Sequence, residues 1–211
     1  MGVYTLAFFG HAYETAWAVR APQSENVKSE GSLLVKTLDY DRTEKAGRIA
    51  TAFMILGFLL LFAGVVARGV SAGRVPWGNM YEFSITGALA FTGAYLFALK
   101  KYDLRWLGLP IATFVLLILG TAITVLYRPS APLVPALKSY WLVIHVSAAI
   151  ISGGVFLLAN TIAATYLYLD SMEQKGGRKD WAKRLPSLEV LDQLSYRLVA
   201  FVFPLWTFAV I

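Results

Sequence analysis

No cysteine occurs in the chain. Disulfide exchange, thiolate nucleophiles and cysteine-built metal sites are therefore excluded for it. Histidine is nearly as scarce, His11 and His145 being the two imidazoles. Two imidazoles argue against a multi-histidine metal centre within one chain, and any metal is then expected inside a cofactor or ligated partly from elsewhere. Charge is also short: 15% of the side chains are charged and 57% are hydrophobic, where a soluble domain carries roughly 25% charged residues. The chain lacks the polar surface that water demands. No internal repeat or inverted symmetry is visible, and no pair of Gly/Pro-broken spans in corresponding positions.

What is present is a series of long apolar runs. A spanning helix needs about 20 mainly apolar residues. Ile49–Ala67, Ser84–Leu99, Leu104–Tyr127 and Tyr140–Leu169 qualify. Val3–Val19 has neither a basic leader nor a small-residue cleavage site, so it reads as part of a first helix rather than a signal peptide. Leu198–Ile211 is apolar but too short to cross, and its lack of a cap suggests a fragment of a longer protein or a completing partner. Between these, Leu188, Leu191, Leu194 and Leu198 recur at helical spacing against Glu189, Asp192 and Arg197. That pattern predicts an amphipathic helix over 185–198 lying along the membrane surface. The fold class is thus all-α: one membrane domain over residues 1–211, a polytopic bundle of about six transmembrane helices with the last incomplete.

The net charge of +6 does not point to nucleic acid, because the basic residues lie in the loops. The first, third and fifth loops carry 15 Lys and Arg, the second and fourth only 4. By the positive-inside rule the odd loops are cytoplasmic, and the amino terminus and even loops face outward.

Four features carry possible chemistry. His145 lies just below the interfacial pair Tyr140 and Trp141, near the outer surface. Ala148, Ala149, Ser152 and Gly153 share its helical face, a flank bare enough for a flat macrocycle or for close helix packing. The outer segment from Arg74 to Phe83 offers Trp77, Tyr81 and Phe83 as planar apolar surface, with membrane-interface anchoring as the alternative. Met80 offers a soft sulfur, with packing as its alternative. The segment Arg128–Lys138 contains three prolines and reads as a stiff lid. Arg74, Arg128 and Lys138 are the outer cations able to meet ligand carboxylates or lipid headgroups. His11 and Glu14 share a face of the first helix at an expected depth near mid-bilayer, as a proton relay or a structural pair.

Val75-Pro76-Trp77-Gly78-Asn79-Met80-Tyr81-Glu82-Phe83 followed by Leu137-Lys138-Ser139-Tyr140-Trp141-Leu142-Val143-Ile144-His145-Val146-Ser147 resembles the CcsA (ResC-type) cytochrome c assembly proteins. Leu185–Asp192, Tyr196-Arg197 and Phe203-Pro204-Leu205-Trp206 extend the likeness over essentially the whole chain. The resemblance implies c-type cytochrome biogenesis in a bacterial plasma membrane or a thylakoid membrane. Members work with a ResB-type partner and present heme b, a transported substrate, to apocytochrome c at the outer face. It implies that His145 is an axial ligand of the heme iron, matching the first of two external histidines that flank a tryptophan-rich (WWD) segment. It leaves Trp77 and Tyr81 as the stacking surface and Arg74, Arg128 and Lys138 as propionate partners. The tryptophan-rich segment and the second histidine lie past Ile211 in the family, so this stretch alone is expected to be a component of the heme-ligating complex rather than a competent synthase. A transporter and a ligand-free assembly subunit are the competing classes.

Overall fold

The computed structural model describes residues 1–20, 30–131, 139–179, 182 and 185–210, the side chains of 17–20 and 30–42 excepted. Six α-helices follow in chain order: α1 (Gly2–Arg20), α2 (Glu30–Ala72), α3 (Met80–Leu99), α4 (Gly108–Thr124), α5 (Tyr140–Gln174) and α6 (Leu188–Val210). A 3-10 turn, Arg105–Leu107, leads into α4. There is no strand among the described residues. Five helical stretches, all but α1, are long and apolar enough to cross a membrane. The chain is a multi-pass helical membrane bundle.

In lipid the backbone must satisfy its own hydrogen bonds, which is why apolar runs become helices. Apolar side chains point both inward and outward. Phe91, Ile111, Val115, Leu158 and Ile162 are buried, while Ile55, Leu59, Leu60, Phe97, Leu117 and Phe201 are exposed on the perimeter. α3 is central, packing on α2, α4 and α5; α1 fills the angle between α2 and α4, and α6 lies against α5.

Several boundaries differ from the sequence reading: α4 is Gly108–Thr124 rather than Leu104–Tyr127 and α5 runs on to Gln174, and three further differences have local reasons. α3 begins at Met80 rather than Ser84, because Asn79 caps it: its side-chain oxygen accepts the Glu82 amide at 2.9 Å. α2 extends back to Glu30, through residues expected to form the first loop. The predicted surface helix over 185–198 and the short last span are one continuous helix, α6, of 23 residues. The leucine stripe that suggested a membrane surface is helix contact instead, with Leu191 and Leu194 buried where α6 packs on α5.

Glycines set the closest approaches. A Cβ on Gly154 of α5 would lie 2.8 Å from the backbone of Ala90 and Phe91 on α3, and one on Gly10 of α1 would lie 2.8 Å from the Ala50 side chain on α2. Such contacts let helix backbones meet without a side chain between them. With α3 and α5 running the same way in an alternating bundle, the Gly154 contact puts His145 at about the level of Tyr81 and Glu82.

Candidate functional site

At the end of the bundle where α3 begins, Glu82 is fully buried yet accepts four hydrogen bonds. Arg68 Nε donates to its Oε1 at 3.0 Å, and Arg74 donates through Nη1 to Oε2 at 2.7 Å and through Nη2 to Oε1 at 3.3 Å. The Gly78 amide adds 2.8 Å to Oε2. Each carboxylate oxygen thus meets two donors, the satisfaction that a buried charge requires. Both guanidinium side chains are 13% exposed.

The two arginines carry the cluster onward to the segment after α4. Arg68 Nη2 donates to the Arg128 carbonyl at 2.7 Å. Arg74 donates to the Ala131 carbonyl from Nε at 3.2 Å and from Nη2 at 3.0 Å. Gly78 has a structural reason to be glycine: a Cβ there would lie 2.6 Å from the Arg74 guanidinium atoms. Arg68 also stacks over the Tyr81 ring at 5.4 Å, and that ring meets Tyr127 edge-on at 5.3 Å. One carboxylate therefore ties together the end of α2, the start of α3 and the stretch of chain leaving α4.

The sequence-predicted residues fall into place unevenly. Arg74 was expected to meet a ligand carboxylate. In the structure its five N–H groups go to Glu82, Ala131 and Val75, which leaves no donor for a ligand. Tyr81 was expected to present a free stacking face, but it is half-buried beneath Arg68 and against Tyr127. Arg128 joins through its carbonyl and its side chain is exposed. Trp77 is half-buried, its indole N–H buried without an acceptor. Lys138, with the proline-rich stretch 132–138, lies outside the described residues.

His145 stands apart on α5. Ser139 caps that helix, its hydroxyl accepting the Trp141 amide at 3.2 Å, which starts the helix just above the imidazole. His145 is exposed, not wedged between helices. Below it Ala148 and Ser152 are buried, and a Cβ on Gly153 would meet no atom within 4 Å. Ser152 Oγ is buried without a partner. One turn above, on the same flank, Trp141 is 72% exposed. Ala148 and Ser152 turn into the bundle, so the open flank is the imidazole, the indole one turn above it and Gly153 two turns below, a strip that suits a flat ligand laid along the helix. The sequence reading treated Trp141 as an anchor only; its four-residue spacing from His145 was the available signal.

Glu82 and Arg68 were also missed as a pair. The Asn-x-x-Glu spacing of Asn79 and Glu82 is the signature of a helix start, and it places the carboxylate inside the bundle rather than at its rim. No group of three or more His, Asp or Glu able to hold a bare metal ion exists among the described residues.

Residues 77–211 match the family model described as Cytochrome C assembly protein. The chain belongs to the cytochrome c assembly protein family. Relatives bearing the name "Cytochrome c biogenesis protein CcsA" come from Guillardia theta, 33% identical over 162 residues covering 68% of this chain and 54% of the relative, and from Chlamydomonas reinhardtii, 30% identical over 198 residues covering 91% and 54%. A cyanobacterial one, from Synechococcus sp. (strain JA-3-3Ab), is 25% identical over 226 residues, covering 82% and 66%. The chain spans about half to two thirds of the length of these relatives. No solved structure matches it. The family-model match takes in the Trp77–Glu82 segment and His145, and begins after α1 and α2.

Proposed function

We propose that the chain is the heme-handling part of a c-type cytochrome assembly system, holding heme b as substrate at the outer face of the membrane for attachment to an apocytochrome. The observation that carries this reading is the exposed His145 at the start of α5, with the exposed Trp141 one turn above and the exposed Gly153 two turns below on the same flank. The family name of the relatives supports the pathway. The positive-inside count supports the outward orientation of this end.

In this reading His145 supplies one axial nitrogen to the heme iron, and heme brings the vinyl groups that acquire thioether bonds. Trp141 and Trp77 offer aromatic surface, and Arg128 and Lys138 are the cations for the propionates, Arg74 being committed to Glu82. The chain's task is placement: it orients the macrocycle and keeps its edge accessible to the incoming thiols. His11 sits against Gly108 at the other end of the bundle, so a second axial ligand comes from another segment or from a ResB-type partner.

The test is a visible spectrum of the purified full-length protein with and without His145→Ala. The substitution is expected to abolish or strongly weaken the Soret band, with partial recovery on adding imidazole. An unchanged Soret band removes His145 as the ligand and the reading with it.

A further inference from the structure

At the Gly108 end of the bundle a second polar group lies outside the stretch that the family model matches. His11 is 1% exposed and its Nδ1 lies 3.1 Å from Glu14 Oε2, while Glu14 is 19% exposed. His11 Nε2 is buried with no partner. The depth differs from the mid-bilayer position expected from Arg20: the ring rests on Gly108, the first residue of α4. α1 runs past the start of α4, so roughly its last two and a half turns project beyond, and counting back from Arg20 overestimates the depth.

The surroundings are built around this pair. Gly108 on α4 leaves the room that the imidazole fills, and Gly47 on α2 leaves the room for the Glu14 carboxylate; a Cβ at either would collide with it. Two glycines on two different helices thus accommodate two polar side chains of a third. Nearby groups add unpartnered polarity: Tyr95 Oη on α3 and Trp106 Nε1 in the 3-10 turn are both buried without hydrogen-bond partners. Glu14, Asp103 and Arg105 are electrostatic neighbours of Tyr95. The other charged groups around the pair are Glu44, Lys45 and Arg48, flanking Gly47 on α2; α4 contributes none.

We infer that His11 and Glu14 form a proton-binding site at the cytoplasmic end of the bundle, loaded from water through Glu14. The burial gradient gives the direction, since the carboxylate reaches solvent and the imidazole behind it does not. The chemistry follows from the pairing. With the imidazole neutral, the site holds a carboxylate charge against low-dielectric surroundings; one proton from water converts it to an imidazolium–carboxylate pair of zero net charge. With Nδ1–H directed at Glu14, Nε2 is the vacant position that accepts that proton.

A purely structural pair would hold α1 against α2 and α4 without changing its protonation, and the scarcity of histidine makes the two roles separable. The 211-residue chain in lipid nanodiscs, labelled with nitrogen-15 at histidine, gives two imidazoles, which His145→Gln assigns. The His11 ring nitrogens are expected to show proton uptake as the surrounding water is acidified, and Glu14→Gln, which fits the same space, is expected to weaken that uptake because the carboxylate that stabilises the imidazolium is gone. Absence of titration in the unsubstituted chain overturns the inference without any need for the variant to fold. A midpoint unmoved in Glu14→Gln overturns it as well. Neither result bears on heme at His145.

Discussion

Arg74 grips both oxygens of Glu82, Nη1 at 2.7 Å from Oε2 and Nη2 at 3.3 Å from Oε1. The pair is buried at the end of the bundle where three segments meet, so its loss acts on all of them. Removing one partner of a buried ion pair typically costs about 3–5 kcal/mol, because the other charge is left uncompensated. Glu82→Gln is expected to fall in that range, since it turns an amide NH2 group toward two guanidinium groups. Arg128→Ala is expected to change stability by less than about 0.5 kcal/mol, because only the Arg128 carbonyl takes part. Reversible unfolding in mixed micelles measures both. Equal losses in the two variants would contradict the arrangement described.

Trp141 and Tyr140 make a second contrast. Both are strongly exposed, but only Trp141 shares the flank of His145, four residues away. An aromatic contact is worth about 0.5–1.5 kcal/mol. Trp141→Ala is therefore expected to weaken heme binding roughly 2- to 10-fold in a spectrophotometric titration, and Tyr140→Ala to leave it unchanged. If Tyr140 matters as much, the ligand does not lie along the His145 flank.

Neighbouring glycines on α5 are expected to respond oppositely to the same change. A Cβ on Gly154 meets α3 backbone at 2.8 Å, whereas one on Gly153 meets nothing within 4 Å. Gly154→Ala is expected to destabilise by about 1–3 kcal/mol through overpacking. Gly153→Ala is expected to stabilise by up to about 1 kcal/mol through helix propensity. Unfolding of the two single variants side by side decides it.

The contact between Gly108 and the His11 ring predicts a non-additive pair. Gly108→Ala is expected to destabilise the chain, and His11→Ala in the same molecule to relieve much of that cost. A coupling of about 1–3 kcal/mol in the double-mutant cycle is the expected outcome. Simple additivity would mean that the two residues do not touch.

Much of this architecture was legible in the residues, because a membrane makes hydrophobic length nearly equivalent to helix. The runs at Ile49–Ala67 and Tyr140–Leu169 lie within α2 and α5. The boundaries were harder where polar residues continue a helix. The stretch 30–42 mixes Leu33, Leu34 and Val35 with Lys36, Asp39, Asp41 and Arg42, too polar for a spanning run, yet its backbone extends α2. Leu188–Leu198 carried a real periodicity whose partner was misjudged, since a leucine stripe reads the same against lipid headgroups as against α5. At the candidate site the helical face of His145 was legible in its spacing, but not that Ala148 and Ser152 on it turn into the bundle while the imidazole stays exposed. Arg74 was not legible, because a cation in an outer loop shows its charge in the sequence but not the carboxylate eight residues on that consumes it. Glu82 belongs to the same lesson. Its four donors come from three places in the chain, and no local pattern joins Arg68 to them.

The bare contact of Gly154 with α3 has a consequence for how this family can vary. The position of the imidazole along the bundle is set by a backbone-to-backbone stop roughly two and a half turns further along α5. The chain joining α4 to α5 need not set that position. It can lengthen, shorten or change its contents between relatives while the imidazole stays at one level, and a substitution hidden among apolar helices can displace that imidazole without touching it.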